Sequence, residues 1–186
     1  AAERLKRRYE QLSNIDELTA LNNRRFFFPE VEALLSRARR YNEALALLLI
    51  DIDHFKRVND RYGHRVGDVV LQLVAASIQR MLRPYDVLCR YGGEEFAAVL
   101  RTGEEHALMV AERLRSSVQK LNLSHPLSST GTFVTISVGV ASVRPGADGS
   151  SALSLCASAD AALYRAKNEG RNRVVVASAT TPELVV

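Results

Sequence analysis

The 186-residue chain has no Trp, only two Cys and five Pro, and no extended apolar run. Two thiols, Cys89 and Cys156, are too few for a disulfide framework, and no charged, apolar and small-residue leader opens the sequence. The compartment expected from this is reducing and cytoplasmic. The longest apolar run, Ala44 to Ile50, stops at Asp51, far short of the roughly 20 residues that a spanning helix needs. With 47% hydrophobic and 25% charged residues, disorder and low-complexity architectures are excluded. The net charge of +4 could suit a polyanion, and Arg37, Arg39 and Arg40 cluster, but no basic stripe is interleaved with stacking aromatics, so nucleic acid is not an expected partner. The sequence does not begin with Met, and it reads as a fragment with a regulatory part upstream.

What remains is a chain long enough for one domain with a real core. Residues 1–15 are rich in Arg, Lys and Glu with Leu5, Tyr9 and Leu12 spaced as a narrow apolar seam, either a signalling stalk or a helix lying on the domain. Residues 16–177 form the domain and 178–186 a tail. After a connector from Asp16 to Arg25, helical spacing runs from Phe26 to Tyr41. Ala44 to Ile50 reads as a central strand buried on both faces with Asp51 and Asp53 at its C-terminal end. A long amphipathic helix runs from Gly63 to about Arg83, where Pro84 helps to stop it. Asp86 to Tyr91 and Glu94 to Leu100 form an antiparallel hairpin joined by Gly92-Gly93, expected to take the positive φ of a tight turn. Ala107, Ala111, Leu114, Val118 and Leu121 mark another helix, and Phe133 to Ala141 alternates as a half-buried strand. Ser151 to Asn168 is helical, Gly170 suits its C-terminal cap, and Val174 to Val176 is a last strand. The fold class is therefore α+β, a mixed, largely antiparallel central sheet flanked by helices.

Two features carry chemistry. Asp51 and Asp53 end an apolar strand, where carboxylates are costly unless hydrogen bonds or a cation compensate, and a metal is the economical explanation. Glu94 and Glu95 follow a double glycine at which backbone can approach a ligand closely. Hard oxygen donors with no His or Cys cluster favour Mg²⁺, with Mn²⁺ as the alternative, and Mg²⁺ so held is usually bound to substrate phosphates as well. A nucleotide substrate follows from that. Neighbouring strand residues point to opposite faces, so spacing leaves open whether Glu94 or Glu95 meets Asp51.

The ordered motifs resemble the GGDEF family of diguanylate cyclases, which join two GTP molecules into cyclic di-GMP. Asp16, Leu18, Thr19, Leu21, Asn23 and Arg24 match its D-x-L-T-x-L-x-N-R opening, and Asp51, Asp53, Phe55, Lys56, Asn59 and Asp60 its D-x-D-x-F-K-x-x-N-D segment. Gly63, His64, Gly67 and Asp68 match G-H-x-x-G-D, Gly92 to Phe96 is the signature in its GGEEF form, and Tyr164, Ala166, Lys167, Gly170, Arg171 and Asn172 match the closing Y-x-A-K-x-x-G-R-N. Such an ordered set is far more specific than any single motif.

The resemblance implies the nucleotidyl cyclase, ferredoxin-like palm fold. It implies that Asp51, Glu94 and the Ile52 carbonyl hold two metal ions, that Glu94 is the base, and that Glu95 supports the site or joins a metal's coordination. Asn59 and Asp68 resemble the guanine readers, and His64 a further substrate contact. The ordinary alternatives are a turn residue for Asn59 and a helix cap for Asp68. Lys56, Lys167 and Arg171 would meet the triphosphate, Lys56 as transition-state stabiliser, and the backbone N–H groups of His54 and Phe55 would bind phosphate oxygens. Arg83 and Asp86 resemble an R-x-x-D inhibitory site for the product, completed by Arg113 or Arg115. The implied partners are GTP, cyclic di-GMP as product and allosteric inhibitor, a second copy in an antiparallel homodimer, and an upstream sensory or receiver domain, in a cytoplasmic protein or the cytoplasmic part of a larger, membrane-attached one. The competing reading is a catalytically silent receptor for cyclic di-GMP or GTP.

Overall fold

The computed structural model describes residues 14–144 and 149–178. The Leu5, Tyr9 and Leu12 seam and the tail beyond Ser178 lie outside the described residues. The elements are β1 (Asn22–Asn23), α1 (Arg24–Tyr41), β2 (Leu45–Ile52), α2 (Phe55–Tyr62), α3 (His64–Met81), β3 (Val87–Arg90), β4 (Glu95–Leu100), α4 (Glu104–Gln119), β5 (Ile136–Val143), α5 (Ala152–Asn168) and β6 (Val174–Val176). They form one sheet in the order β1-β3-β4-β2-β5-β6. The four central strands pair antiparallel, whereas the edge pairs β1–β3 and β5–β6 are parallel. This is the mixed, largely antiparallel sheet flanked by helices that the interleaved patterns predict.

Every residue of β2 is buried, and its period of two divides the core between two layers. Ala46, Leu48, Ile50 and Ile52 pack with Val58, Val74, Ile78 and Leu114 from α2, α3 and α4. Leu45, Leu47 and Leu49 pack on the other face with Phe27 and Leu35 of α1 and Ala159 and Leu163 of α5. A continuous apolar run is the signature of a strand covered on both sides, and here two helical layers provide that cover.

The structure corrects three expectations. β5 is buried on both faces, not half-buried, because its second face consists of small residues over which α5 lies. At Gly139 an added Cβ would stand 2.2 Å from the Ala159 carbonyl oxygen and 2.4 Å from the Leu163 nitrogen, so only glycine permits this approach. The link between β3 and β4 is four residues long, Tyr91 to Glu94, and neither Gly92 nor Gly93 has a positive φ. Glycine at position 92 instead leaves room for a neighbouring side chain, since a Cβ there would meet Glu95 Oε2 at 2.5 Å. Finally, the connector contains the short strand β1, and the segment after β2 contains α2, eight residues buried through Phe55 and Val58 alone. Among the described residues no helix is long and apolar enough to cross a membrane.

Candidate active site

The C-terminal end of β2 sits mid-sheet, between β4 and β5, and brings residues from four segments together. Register places Asp51 opposite Glu95 of β4 and Ser137 of β5. Directly opposed residues share a face, so Glu95 and Asp51 stand at the rim of the layer that α1 and α5 cover. From the last turn of α5, Lys167 Nζ reaches Asp51 Oδ2 at 2.8 Å. Glu94 lies across from Ile52, whose N–H donates to the Glu94 carbonyl at 3.2 Å. Burial pushes the Asp51 carboxyl above its ordinary value against the pull of Lys167. Glu94 is raised as well, by burial first and then by the Asp51 charge, with Lys167 opposing. Asp51, Glu94, Glu95 and Lys167 are thus electrostatic neighbours.

Asp53, 1% exposed, is held differently. It accepts hydrogen bonds from Ser137 Oγ at 2.6 Å, Thr135 Oγ1 at 2.7 Å and the Asn172 N–H at 3.0 Å. These bonds offset the burial of its carboxylate, and Lys167 offsets that of Asp51, so the metal inferred from buried carboxylates alone is not required to explain them. Among the described residues no three His, Cys, Asp or Glu side chains converge as a ready metal cluster. The donor chemistry nonetheless fits a hard divalent cation accompanying a nucleotide: Asp51 and Glu94 supply carboxylate oxygens at a strand end.

The segment after Asp53 carries the expected nucleotide contacts. His54 adopts a left-handed conformation, φ 53° and ψ 32°, which turns the chain from β2 into α2 and puts Phe55 at the helix N-terminus. Lys56 is exposed on α2. Asn59, in α2 and not in a turn, extends its side chain over Gly67 of α3, where a Cβ would fall 1.8 Å from Asn59 Oδ1. Asp68 is exposed in α3 and caps nothing, because the N-cap is Gly63 and lacks any side-chain bond. His64 is the exposed first residue of α3. Arg171 follows Gly170 in a left-handed turn, φ 64°, and lies close enough to His54 for its charge, after burial, to lower that imidazole.

Arg83 and Asp86 form a separate locus at the far end of α3. The Arg83 N–H donates to Asp86 Oδ2 at 2.9 Å, and the guanidinium reaches the Tyr85 hydroxyl at 2.8 Å and the His106 ring at 3.4 Å. Arg113 donates to the Met81 carbonyl at 2.9 Å, beside this locus. Arg115 is engaged elsewhere, by Glu112 and the Asn172 side chain, both at 2.8 Å.

Sequence reasoning missed the contacts behind the site: Thr135 and Ser137 on Asp53, and His125, which is fully buried and bonds the His54 carbonyl at 3.2 Å. Thr135 and Ser137, hydroxyl residues flanking Ile136 at the start of a mostly apolar strand, were the available signal for the first pair. His125 lies in a polar loop whose path the sequence does not disclose.

A family model described as diguanylate cyclase, GGDEF domain, matches residues 13–173. The chain is 39% identical over 166 residues to the response regulator PleD of Caulobacter vibrioides, covering 89% of this chain and 36% of that protein. It is 39% identical over 177 residues to diguanylate cyclase A of Treponema denticola, covering 93% of this chain and 47% of the relative. It therefore spans less than half the length of either. Among solved structures it is similar to the coiled coil and GGDEF domain of DgcB from Caulobacter crescentus in complex with c-di-GMP, with TM-score 0.80 and 36% identity over 95% of this chain and 93% of that one.

Proposed function

The chain belongs to the GGDEF domain family of diguanylate cyclases, and from that premise we propose that it condenses two GTP molecules into cyclic di-GMP with release of two pyrophosphates. The observation that carries the proposal is the meeting of Asp51, Glu94, Glu95 and Lys167 at one strand end, beside the His54 turn and Arg171.

In this reading Asp51, Glu94 and the Ile52 carbonyl hold Mg²⁺, or Mn²⁺ in its place. When bound, the metal supplies Lewis-acid stabilisation of charge on the reacting phosphate. The chain's own residues do the rest. Asn59 and Asp68 accept from the N–H groups of the guanine edge, which adenine does not present in that pattern. A site built to pair those donors discriminates strongly, since the wrong base leaves polar groups unpaired. His64 adds a contact at the start of α3. The N–H groups of His54 and Phe55, with Lys167 and Arg171, hold the triphosphate, and Lys56 meets the charge that develops in transfer. The 3′-OH of one GTP attacks the α-phosphorus of the other; the new P–O bond forms as the bond to pyrophosphate breaks, and Glu94 takes the hydroxyl proton. Repetition in the opposite sense closes the ring. Glu95, opposite Asp51, supports the acidic pair.

One such site holds one GTP, so two copies must face each other in an antiparallel homodimer, which turns an encounter into a positioned reaction. Product inhibition is assigned to Arg83 and Asp86, with Arg113 rather than Arg115 as the second arginine because only Arg113 lies at that locus. The c-di-GMP complex of the similar DgcB domain supports binding of the product by this fold.

Purified protein incubated with GTP and Mg²⁺, with the nucleotide product identified by chromatography, tests the proposal. Cyclic di-GMP made from GTP and not from ATP, and lost in Glu94→Gln, is the expected result. No product from folded protein, even after forced dimerisation, would overturn it in favour of a silent receptor.

A further inference from the structure

The His54 turn is held from outside. His54 is not glycine, and its left-handed backbone costs about 1–2 kcal/mol relative to ordinary conformations. The residues that fix it come from the loop between α4 and β5. His125 Nε2 lies 3.2 Å from the His54 carbonyl oxygen, Ser129 Oγ lies 2.6 Å from His54 Nε2, and Arg57 Nη1 donates to the Leu127 carbonyl at 2.8 Å. Three contacts from one short segment therefore fall on the first turn of α2.

The segment is itself fastened. The His125 N–H donates to the Thr132 carbonyl at 2.7 Å, a bridge joins Ser124 to Phe133, and Thr130 Oγ1 pairs with Thr135 Oγ1 at 2.9 Å. Thr135 in turn donates to Asp53, next to His54 in the chain. His125 is fully buried and its Nδ1 has no partner among the described residues. A carbonyl can only accept, so Nε2 carries the proton, and a second proton on Nδ1 would be a buried donor with nothing to bond. The ring is thereby fixed as a neutral Nε2–H donor aimed at one carbonyl, and burial lowering its basicity agrees with that.

We propose that residues 124–130 clamp the His54 turn and that His125 is its positioning residue, aligning the N–H groups of His54 and Phe55 for the phosphates of the nucleotide. The inference rests on the assignment of that turn to phosphate binding. It implies that His125 affects the triphosphate and not the base, which Asn59 and Asp68 contact from the α2–α3 side.

Two ligands separate these effects: GTP, and guanosine, which has the base without phosphates. Binding of each is measured by ligand-observed NMR titration on wild type, His125→Leu and His125→Gln, with a thermal melt of each protein. His125→Leu loses the donor, and GTP affinity is expected to fall about tenfold, the worth of one well-placed hydrogen bond, while guanosine binding stays within about twofold. Gln places an amide N–H near the former Nε2 and is expected to recover most of the loss. Ser129→Ala, at an exposed position, keeps the test available if His125→Leu does not fold, and is expected to weaken GTP and not guanosine. Equal loss of both ligands, or unchanged GTP affinity in folded variants, overturns the clamp. Wild-type protein that binds neither GTP nor guanosine overturns instead the reading of the site on which it rests.

Discussion

Replacing Gly67 by Ala should separate recognition from stability. A Cβ at this position would stand 1.8 Å from Asn59 Oδ1, 3.0 Å from Asn59 Cγ and 3.2 Å from Phe55 Cζ. The tightest contacts are with the end of a half-buried side chain, so the clash is relieved by turning the Asn59 amide away rather than by moving backbone. An off-rotamer side chain costs about 0.5–1.5 kcal/mol. Within helix α3, Ala in place of Gly returns about 1 kcal/mol of helix propensity. Net stability should then change by less than about 1 kcal/mol, a melting shift of only a few degrees for a domain of this size. Recognition has no such compensation. Asn59 leaves its proposed place against guanine, and a lost neutral hydrogen bond of about 1–1.5 kcal/mol raises KM for GTP roughly tenfold. Since neither Gly67 nor Asn59 is among the groups proposed to act on the reacting phosphate, kcat should move little.

The assay is steady-state formation of cyclic di-GMP by Gly67→Ala, Asn59→Ala and the double variant. If Gly67 acts through Asn59, each single change raises KM similarly and the double adds nothing, the signature of two residues serving one interaction. An unchanged KM in folded Gly67→Ala, or strict additivity in the double variant, would refute the reasoning.

Gly139→Ala should behave in the opposite way, because its Cβ would meet backbone atoms of α5 at 2.2 and 2.4 Å that cannot rotate aside; a loss of about 1–3 kcal/mol or more in chemical denaturation is expected. Asp16 is pushed up by burial, but bonds from Thr19 and the Arg90 charge outweigh that and hold its carboxyl below the ordinary value. A depressed carboxylate contributes stability that is present above its unfolded value near 3.8 and is lost as pH falls through the lower folded value, so Asp16→Asn should flatten the acid limb of the melting curve there. Burial pushes the Cys89 thiol up to about 12 and raises Cys156 as well, and iodoacetamide at pH 8 should label neither until the protein unfolds.

The long periodic elements were legible because one force, burial of a face, writes them. α1, α3, α4 and α5 follow their apolar spacing, and the uninterrupted run ending at Ile50 announces a strand covered twice. The misreadings arise where packing depends on the absence of side chain. At β5, Ser137, Gly139 and Ala141 look like a solvent face, yet their smallness is what lets α5 descend onto them. The double glycine suggests dihedral freedom, whereas Gly92 leaves room for the Glu95 carboxylate. α2 is too short to show a period, and Phe55 and Val58 are its only buried residues. The motif residues were all visible in sequence, but which of Glu94 and Glu95 opposes Asp51 is a matter of register, and register depends on a four-residue link that alternation alone does not measure.

Asp53 explains why the site can be built from strained turns. Among the described residues six other than glycine have positive φ, and three of them, His54, Arg171 and Asn172, flank this one carboxylate. Each costs about 1–2 kcal/mol, and such conformations persist only where their surroundings over-determine them. His54 follows Asp53 directly in the chain, and the Asn172 N–H donates to its Oδ2. The same carboxylate is fixed to the start of β5 through Ser137 and, just before the strand, Thr135. The two turns that carry the proposed phosphate contacts, one entering α2 and one leaving α5, are therefore both referred to the junction of β2 and β5 in the middle of the sheet. Their separation is set by paired strands rather than by two independent loops, which is the condition for holding several phosphate contacts in one geometry before the nucleotide arrives.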